Sequence, residues 1–309
     1  MHLFSKMQPL PTVIGLGEIL WDFLPSGRHL GGAPANFAYC SHLLGNRAVV
    51  VSRVGADDLG KQARDSLLRS GLTDQFLQTD PEHSTGTVYI RVDSAGQPKF
   101  EIADGAAWDF MTWTDLWKVL AETADAVCFG SLAQRSAESR HTILKFLDAT
   151  RRGTLRVFDV NLRQSFYSAE IVQESVKRAN VVKLNHEELP RVRQLLAIDS
   201  SEGIAFCREM LQKFDLQLVC VTRGANGSLL CDRSNADEHP GFLVHIKDTV
   251  GAGDAFTAAL VHELLRGASL PQMNDLANRL GAWVASCSGA MPPVPEQGLA
   301  AALSQVQMT

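Results

Sequence analysis

Six short runs of β-branched and aliphatic residues alternate with stretches of helical periodicity, and this alternation restricts the possible folds more than any other feature of the chain. The runs are PTVIGLG at 11–17, AVVVSRVG at 48–55, DAVCFGS at 125–131, TLRVFDVN at 154–161, NVVKLN at 180–185 and LQLVCVTRG at 216–224. Their nearly unbroken apolarity fits strands covered on both faces, as in a parallel sheet. Helical segments fall at about 34–44, 58–70, 136–152, 168–179, 202–214, 252–266 and 272–288. Strand and helix in alternation predict an α/β fold built on a doubly wound, mostly parallel sheet flanked by helices.

Two segments interrupt the rhythm. Residues 19–30 (ILWDFLPSGRHL) follow the first strand without a helix, and residues 84–104 (STGTVYIRVDSAGQPKFEIAD) pattern as a hairpin around D-S-A-G-Q. Neither suits a parallel crossover, so both are assigned to a small β lid at the sheet edge. In TVYIRV the alternation puts Val88, Ile90 and Val92 on one side and Thr87, Tyr89 and Arg91 on the other. No linker-like stretch divides the chain, so a single domain over 1–309 carrying this lid is expected.

Composition removes several classes of function. The 29 basic against 34 acidic side chains give a formal charge of −5, without the basic excess of a nucleic-acid binder. No run approaches the ~20 apolar residues of a membrane span. The six cysteines include no C-x-x-C pair, which argues against a zinc or disulfide framework. Cys128 and Cys220 lie inside apolar runs and are expected to be small buried hydrophobes. A reduced, cytoplasmic, soluble protein is expected.

The strongest chemical signal is DTVGAGDAFTAALVHELL at 248–265. Gly251, Ala252 and Gly253 open a long apolar helix, where unpaired backbone amides and the helix dipole favour an anion. Asp254 stands in the first turn beside that anion site, where a carboxylate suits the acceptance of a hydroxyl proton during phosphoryl transfer. The alternative is local: Asp248 caps the helix and Asp254 complements its dipole.

Three weaker patterns accompany it. In LGGAPANFAYCSHLLG (30–45), Gly31 and Gly32 allow close backbone approach to a ligand and Asn36 offers a donor and an acceptor to a sugar hydroxyl. In TRGANGSLL (222–230), Thr222, Gly224 and Gly227 form either a nucleotide-binding turn or a plain hairpin. In KLNHEEL (183–189), one helical turn brings Asn185 and Glu188 to one side, as a support for hydrated Mg2+ or as ordinary helix-start residues. The chain has no Walker A sequence, G-x-G-x-x-G, H-E-x-x-H or G-x-S-x-G. His186 and His262 lack partners at metal-ligand spacing.

Together these patterns resemble the ribokinase-like, or PfkB, family of carbohydrate kinases over about residues 11–295. Its first signature is similar to GGAPANFAYCSHLLGNRAVVVSRVG, with Gly31, Gly32, Asn36, Ala38, Gly45 and Gly55 in place. Its second is similar to DTVGAGDAFTAA at 248–259. The bacterial fructokinases look most similar within it, on GEILWDFLPSG, LGGAPANFA, GAAWD at 105–109 and FDVNLR at 158–163. Those enzymes more often carry Pro where Val160 stands.

The resemblance implies a ribokinase-like sandwich with a β lid, and roles position by position. Asp254 would be the base, and Gly251, Ala252 and Gly253 the anion hole. Asp22, Gly31, Gly32 and Asn36 would hold the sugar, with Arg163 near the sugar or the transferred phosphoryl. Asn185 and Glu188 would act on Mg2+ and phosphate. Thr222, Gly224 and Gly227 would contact the ATP phosphates and ribose, with Asn278 near the adenine. Asp248 and the Val250 carbonyl match a K+ site of some members, although Pro293 stands where a hydroxyl contributes in those members. The implied activity is ATP-dependent phosphorylation of fructose to fructose 6-phosphate. Phosphorylation of ribose or 2-keto-3-deoxygluconate, a nucleotide-dependent oxidoreductase and a non-catalytic sugar sensor are the alternatives. A homodimer joined through the lids is expected.

Overall fold

A computed structural model describes residues 9–24, 27–92 and 98–306. The D-S-A-G-Q turn at 93–97 lies outside the described residues. Among the described residues there are thirteen strands: β1 (Thr12–Leu16), β2 (Leu20–Leu24), β3 (Gly27–Gly31), β4 (Arg47–Gly55), β5 (Leu77–Asp80), β6 (Gly86–Val92), β7 (Pro98–Ile102), β8 (Ala126–Phe129), β9 (Leu155–Asp159), β10 (Val181–Asn185), β11 (Leu218–Thr222), β12 (Ser228–Asp232) and β13 (Ala236–His239). The α-helices are α1 (Ala33–Leu43), α2 (Asp58–Arg69), α3 (Asp115–Thr123), α4 (Ala137–Asp148), α5 (Ala169–Arg178), α6 (Leu189–Leu196), α7 (Ile204–Lys213), α8 (Ala252–Leu264), α9 (Leu270–Ala285) and α10 (Leu299–Ser304).

Nine strands form one sheet in the order β13-β12-β11-β10-β9-β8-β1-β4-β5. Pairing is parallel from β11 to β5 and antiparallel only at the β11–β12–β13 edge. All six apolar runs are strands of this sheet. Their alternate residues feed two cores: Val13 and Val50 point to the layer of α1, α8 and α9, while Ile14, Leu16 and Val51 point to the layer of α3 to α7. Strand order reverses at the β1/β8 boundary, which opens a crevice beyond the strands' carboxyl ends.

The second sheet has the order β3-β2-β6-β7. β6 and β7 pair antiparallel, and β2 lies parallel to β6 with Asp22 opposite Val88. Asp22 and Val88 therefore share one face, Phe23 and Tyr89 the other. Phe23 and Tyr89 stack at 4.7 Å, and Tyr89 is 43% exposed. At the sheet's base Trp21 Nε1 donates to the Leu59 carbonyl at 2.9 Å.

Some elements had no readable pattern. β13 (ADEH) is a polar edge strand, and β12 is five residues directly after a glycine turn. α6 has only eight residues and carries Pro190 in its first turn, while α3 buries just Trp117, Leu120 and Ala121. Short elements held by tertiary contacts leave little periodicity.

One glycine sets how closely α1 lies on the sheet. A Cβ at Gly15, in mid-β1, would stand 2.0 Å from the Pro34 carbonyl oxygen in the first turn of α1. Gly15→Ala is therefore expected to push α1 off β1 and lower Tm by several degrees, measured by calorimetry; an unchanged Tm would show that α1 can shift without cost.

Candidate active site

The residues singled out by sequence converge on the crevice. Gly17 and Glu18 follow β1, Arg163 follows β9, Asn185 ends β10 and Thr222 ends β11. The starts of α1 and α8 approach from one side and β2 from the other. Both helices begin at glycines with left-handed backbone, Gly32 (φ 101°) and Gly251 (φ 79°), and neither has a side-chain cap. At α8 this leaves the glycine turn open to a ligand, whereas at α1 Pro34 has no N–H and the Ala35 and Asn36 amides both donate to the Gly32 carbonyl at 3.0 Å. Asp248 is not the cap: its two oxygens accept from the amides of Val250 at 3.0 Å and Gly289 at 3.2 Å, tying loop 248–250 to loop 285–291.

Asp254 lies in the first turn of α8, partly buried, and its Oδ2 accepts from Asn36 Nδ2 at 2.8 Å. Asn36 therefore joins the two helix starts rather than facing the crevice alone. Its Oδ1 is buried without a partner. Burial, with Asp159 adding to it, pushes the Asp254 carboxyl up to about 6, against the Asn36 hydrogen bond, Lys183 and Arg163. A base that titrates near 6 is ionised at neutral pH and can still take a proton.

Asp22 on β2 is likewise pushed up to about 6 by burial, opposed by Arg163 and reinforced by Asp248 and Asp254. A Cβ at Gly31 would stand 2.2 Å from Asp22 Oδ2, so glycine there makes room for this carboxylate. Arg163 is exposed in a loop whose Asn161 (φ 42°) and Gln164 (φ 49°) both take the left-handed conformation that non-glycine residues avoid. Glu188 shapes that loop: Oε1 accepts from the Leu162 amide and Oε2 from the Asn185 amide, each at 2.8 Å, while Asn185 Oδ1 accepts from the Glu188 amide at 2.9 Å. Glu188 is thus a buried brace and not part of an exposed Glu pair. The GAAWD string is anchored to the same region, because Asp109 binds Arg135 and the Arg135 guanidinium sits between the rings of Trp108 (4.1 Å) and Phe166 (4.6 Å).

Thr222, Gly224 and Gly227 form the hairpin turn from β11 to β12, with Arg223 N donating to the Gly227 carbonyl at 2.7 Å. A Cβ at Gly227 would meet the His239 carbonyl oxygen at 1.9 Å, so that glycine is required by β13. Asn278 turns its amide onto Ser228 Oγ (2.7 Å) and Asn274, binding α9 to β12.

Two features had escaped the sequence reading. Glu18, 2% exposed, has one oxygen without a partner and faces Asp254 and Arg163. Burial raises its carboxyl to about 7, against its own and the Ala33 backbone amides and Arg163. Lys183 and Asp159 form a buried ion pair beneath α8, at 3.0 Å. A lysine inside the apolar run NVVKLN was the available signal, since a charge on a strand buried on both faces needs a partner. Among the described residues no group of three His, Cys, Asp or Glu could enclose a metal ion, and no helix is long and apolar enough to cross a membrane.

The chain is similar to known proteins over most of its length. Residues 27–297 match the family model described as pfkB family carbohydrate kinase. The chain belongs to this family. It is 30% identical over 300 residues to a fructokinase of Escherichia coli, covering 91% of this chain and 95% of that one, and 31% identical over 298 residues to a fructokinase of Vibrio alginolyticus, with the same coverage. Among solved structures it superposes on a fructokinase of Vibrio cholerae in a fructose-, ADP- and calcium-bound form, with TM-score 0.80 and 26% identity over 96% of this chain and 99% of that one. The large, mostly parallel sheet between helical layers is the ribokinase-like fold, and the protein is a sugar kinase.

The Glu18 carboxyl makes stability depend on pH. Its folded value of about 7 exceeds the ordinary 4.5, so its protonated form supports folding fully below about 4.5 and that support is lost as pH rises through 7. Glu18→Gln is expected to raise Tm at pH 8 by the equivalent of about 1–3 kcal/mol and to leave Tm at pH 4.5 nearly unchanged. Calorimetry at the two pH values decides it; equal shifts at both would mean the carboxyl is not held neutral.

Proposed function

We propose that the chain transfers the γ-phosphoryl group of ATP to the 6-hydroxyl of D-fructose, giving fructose 6-phosphate and ADP. The observation that carries this reading is Asp254, held by Asn36 at the open amino end of α8. The fructose 6-oxygen would attack the γ-phosphorus, its proton passing to Asp254 as the bond from phosphorus to the β–γ bridging oxygen breaks. The amides at Gly251 and Gly253 would stabilise the charge on the transferring group; the Ala252 amide already donates to the Thr249 carbonyl at 3.3 Å. Thr222, Gly224 and Gly227 would receive the nucleotide along the β11–β12 turn. Asn278 would reach adenine only through its carbonyl oxygen, since its amide nitrogen is engaged within the fold.

The donors fit a hydrated Mg2+ ion better than a chelated one, because both Glu188 oxygens already accept backbone amides. Mg2+ would supply charge neutralisation at the phosphates, with Glu188 and Asn185 orienting its waters. Asp248 and the Val250 carbonyl are the donors that K+ would use.

Fructose is favoured by the names of the relatives and by charge. Glu18, Asp22 and Asp254 make the sugar side of the crevice acidic, with Asp22, Gly31, Gly32 and the orphaned Asn36 Oδ1 offered to hydroxyls. A neutral ketose suits that lining. The carboxylate of 2-keto-3-deoxygluconate would depend on Arg163, and ribose remains the neutral competitor. ADP release assayed over fructose, ribose and 2-keto-3-deoxygluconate decides the substrate; a higher kcat/KM for either rival would overturn fructose. Asp254→Asn is expected to lower kcat by ~10²–10⁴-fold with sugar binding largely kept. In the wild type kcat should rise with pH through about 6 as Asp254 ionises. Near-normal turnover in the Asn variant would remove Asp254 as the base.

Within a single domain over 1–309, the small sheet would act as the lid, its Asp22–Val88 face over the sugar, excluding water from the transfer. The opposite face, with Tyr89 stacked on Phe23, would pair with a second copy. Light scattering at micromolar concentration should give a dimer mass that Tyr89→Asp reduces; a monomer mass for the wild type would remove the dimer while leaving the kinase reading intact.

A further inference from the structure

The buried ion pair beneath α8 has a geometry that the transfer of a phosphoryl group can use. Asp159, at the end of β9, accepts from Lys183 Nζ through Oδ1 at 3.0 Å and Oδ2 at 3.1 Å. Thr257, one turn into α8, places its hydroxyl 2.9 Å from both Asp159 Oδ2 and the Gly253 carbonyl, and can give its one hydrogen to either. Lys183 is 7% exposed, Asp159 4% and Thr257 fully buried. The ammonium also stands 3.1 Å from where a Cβ at Gly253 would be, so glycine at 253 makes room for Lys183 as well as for an anion. Two of its three N–H groups are taken by Asp159, and the third is available on the side of the glycine turn.

We propose that Lys183 forms a cationic wall of the anion site at Gly251–Gly253, and that Asp159 and Thr257 are positioning residues that hold its ammonium against the transferring phosphoryl group. This rests on the kinase reading above. A lysine buried alone would surrender its proton. Burial does lower Lys183, but Asp159, Glu188 and Asp254 outweigh it and hold the amine firmly protonated. The pair thus keeps a fixed positive charge beside the first turn of α8, where neither solvent nor a flexible stem can dilute it.

The same pair bears on the base. The charged groups facing Asp254 are Asp159 and Arg163 from β9 and its following loop, Lys183 from β10, Glu18 from the end of β1 and Asp22 from β2, with the buried thiols of Cys40 and Cys128 nearby. Removing one member of the pair leaves the other unopposed, so the two single variants must move Asp254 in opposite directions.

The test uses Lys183→Met, Asp159→Asn and the double variant. Lys183→Met should shift the acid limb of the kcat–pH profile to higher pH, and Asp159→Asn to lower pH. The double variant should return the limb towards that of the wild type without restoring kcat, because the cation is still missing. Its affinity for Mg-ATP should fall roughly 10- to 100-fold, the factor expected for a lost charge-assisted hydrogen bond, while adenosine affinity stays unchanged. Thr257→Ser should retain turnover, and Thr257→Val should lower it. If a single variant fails to fold because a lone charge is buried, the double variant carries the test through its kcat and the ATP-to-adenosine ratio. Unmoved acid limbs in folded single variants, or wild-type kcat and ATP affinity in the double variant, would overturn the proposal. A wild type without sugar-dependent ADP release would instead refute the kinase reading, and the ATP-to-adenosine ratio would still decide the role of Lys183.

Discussion

The hydrogen bond from Asn36 to Asp254 links residues 218 positions apart and holds together two helices that both start without a side-chain cap. Either helix start alone would be an open end facing water. Brought together over the β1/β8 crevice, they present the glycine turn of α8 and one carboxylate to a common space. The rest of the architecture serves this placement. Gly15 lets α1 sit against β1, and Gly32 turns the chain into α1 where a Cβ would stand 2.5 Å from the Glu18 carbonyl oxygen. Gly251 turns it into α8 against Ala290, and the Asp248 contacts with Val250 and Gly289 hold the approach to that turn.

A second layer of support lies below the site. Strands β9 and β10 end in Asp159 and, two residues beyond Lys183, in Asn185; Glu188 then reaches back to the Leu162 amide. The loop bearing Arg163 is therefore bound to β10 through a carboxylate as well as through Leu162 and Phe166 packed on the core. It is also bound to the GAAWD segment through Arg135, Trp108 and Phe166. These contacts bring a lid-side segment, an arginine loop and a strand end into fixed relation, as a site that must align three reacting atoms requires.

Much of this was legible in the sequence, for identifiable reasons. The six core strands announced themselves because strands covered on both faces leave unbroken β-branched runs. The G-A-G-D turn was legible because few structures need small residues and an acid at the start of an apolar helix. The pairings were not. Glu188 reads as a support for hydrated Mg2+ or as a helix-start residue, and its bracing role stays hidden because its partners are backbone amides, which leave no mark on composition. The bond from Asn36 to Asp254 was not legible because its acceptor lies in a distant helix. Gly253 reads as room for an anion, but the approach of Lys183 from another strand, 3.1 Å from where a Cβ would stand, leaves no local mark. Strands β12 and β13 escaped because an edge hairpin of four- and five-residue strands carries too little apolar periodicity to register.

Charge in the crevice is deliberately out of balance before any ligand arrives. Glu18, Asp22 and Asp254 are all held above their ordinary range, in each case chiefly by burial and in part by a neighbouring carboxylate: Asp254 for Glu18, Asp248 and Asp254 for Asp22, and Asp159 for Asp254. Such a cluster destabilises the empty fold at neutral pH, a cost tolerated at functional sites. The cations that oppose it are Lys183, fixed in the core, and Arg163, on an exposed and strained loop. A neutral sugar brings no relief of charge, but its hydroxyls can donate to these carboxylates and favour their ionised forms. On the proposed reading, sugar binding would then draw Asp254 towards the ionised state in which a carboxylate can accept a proton.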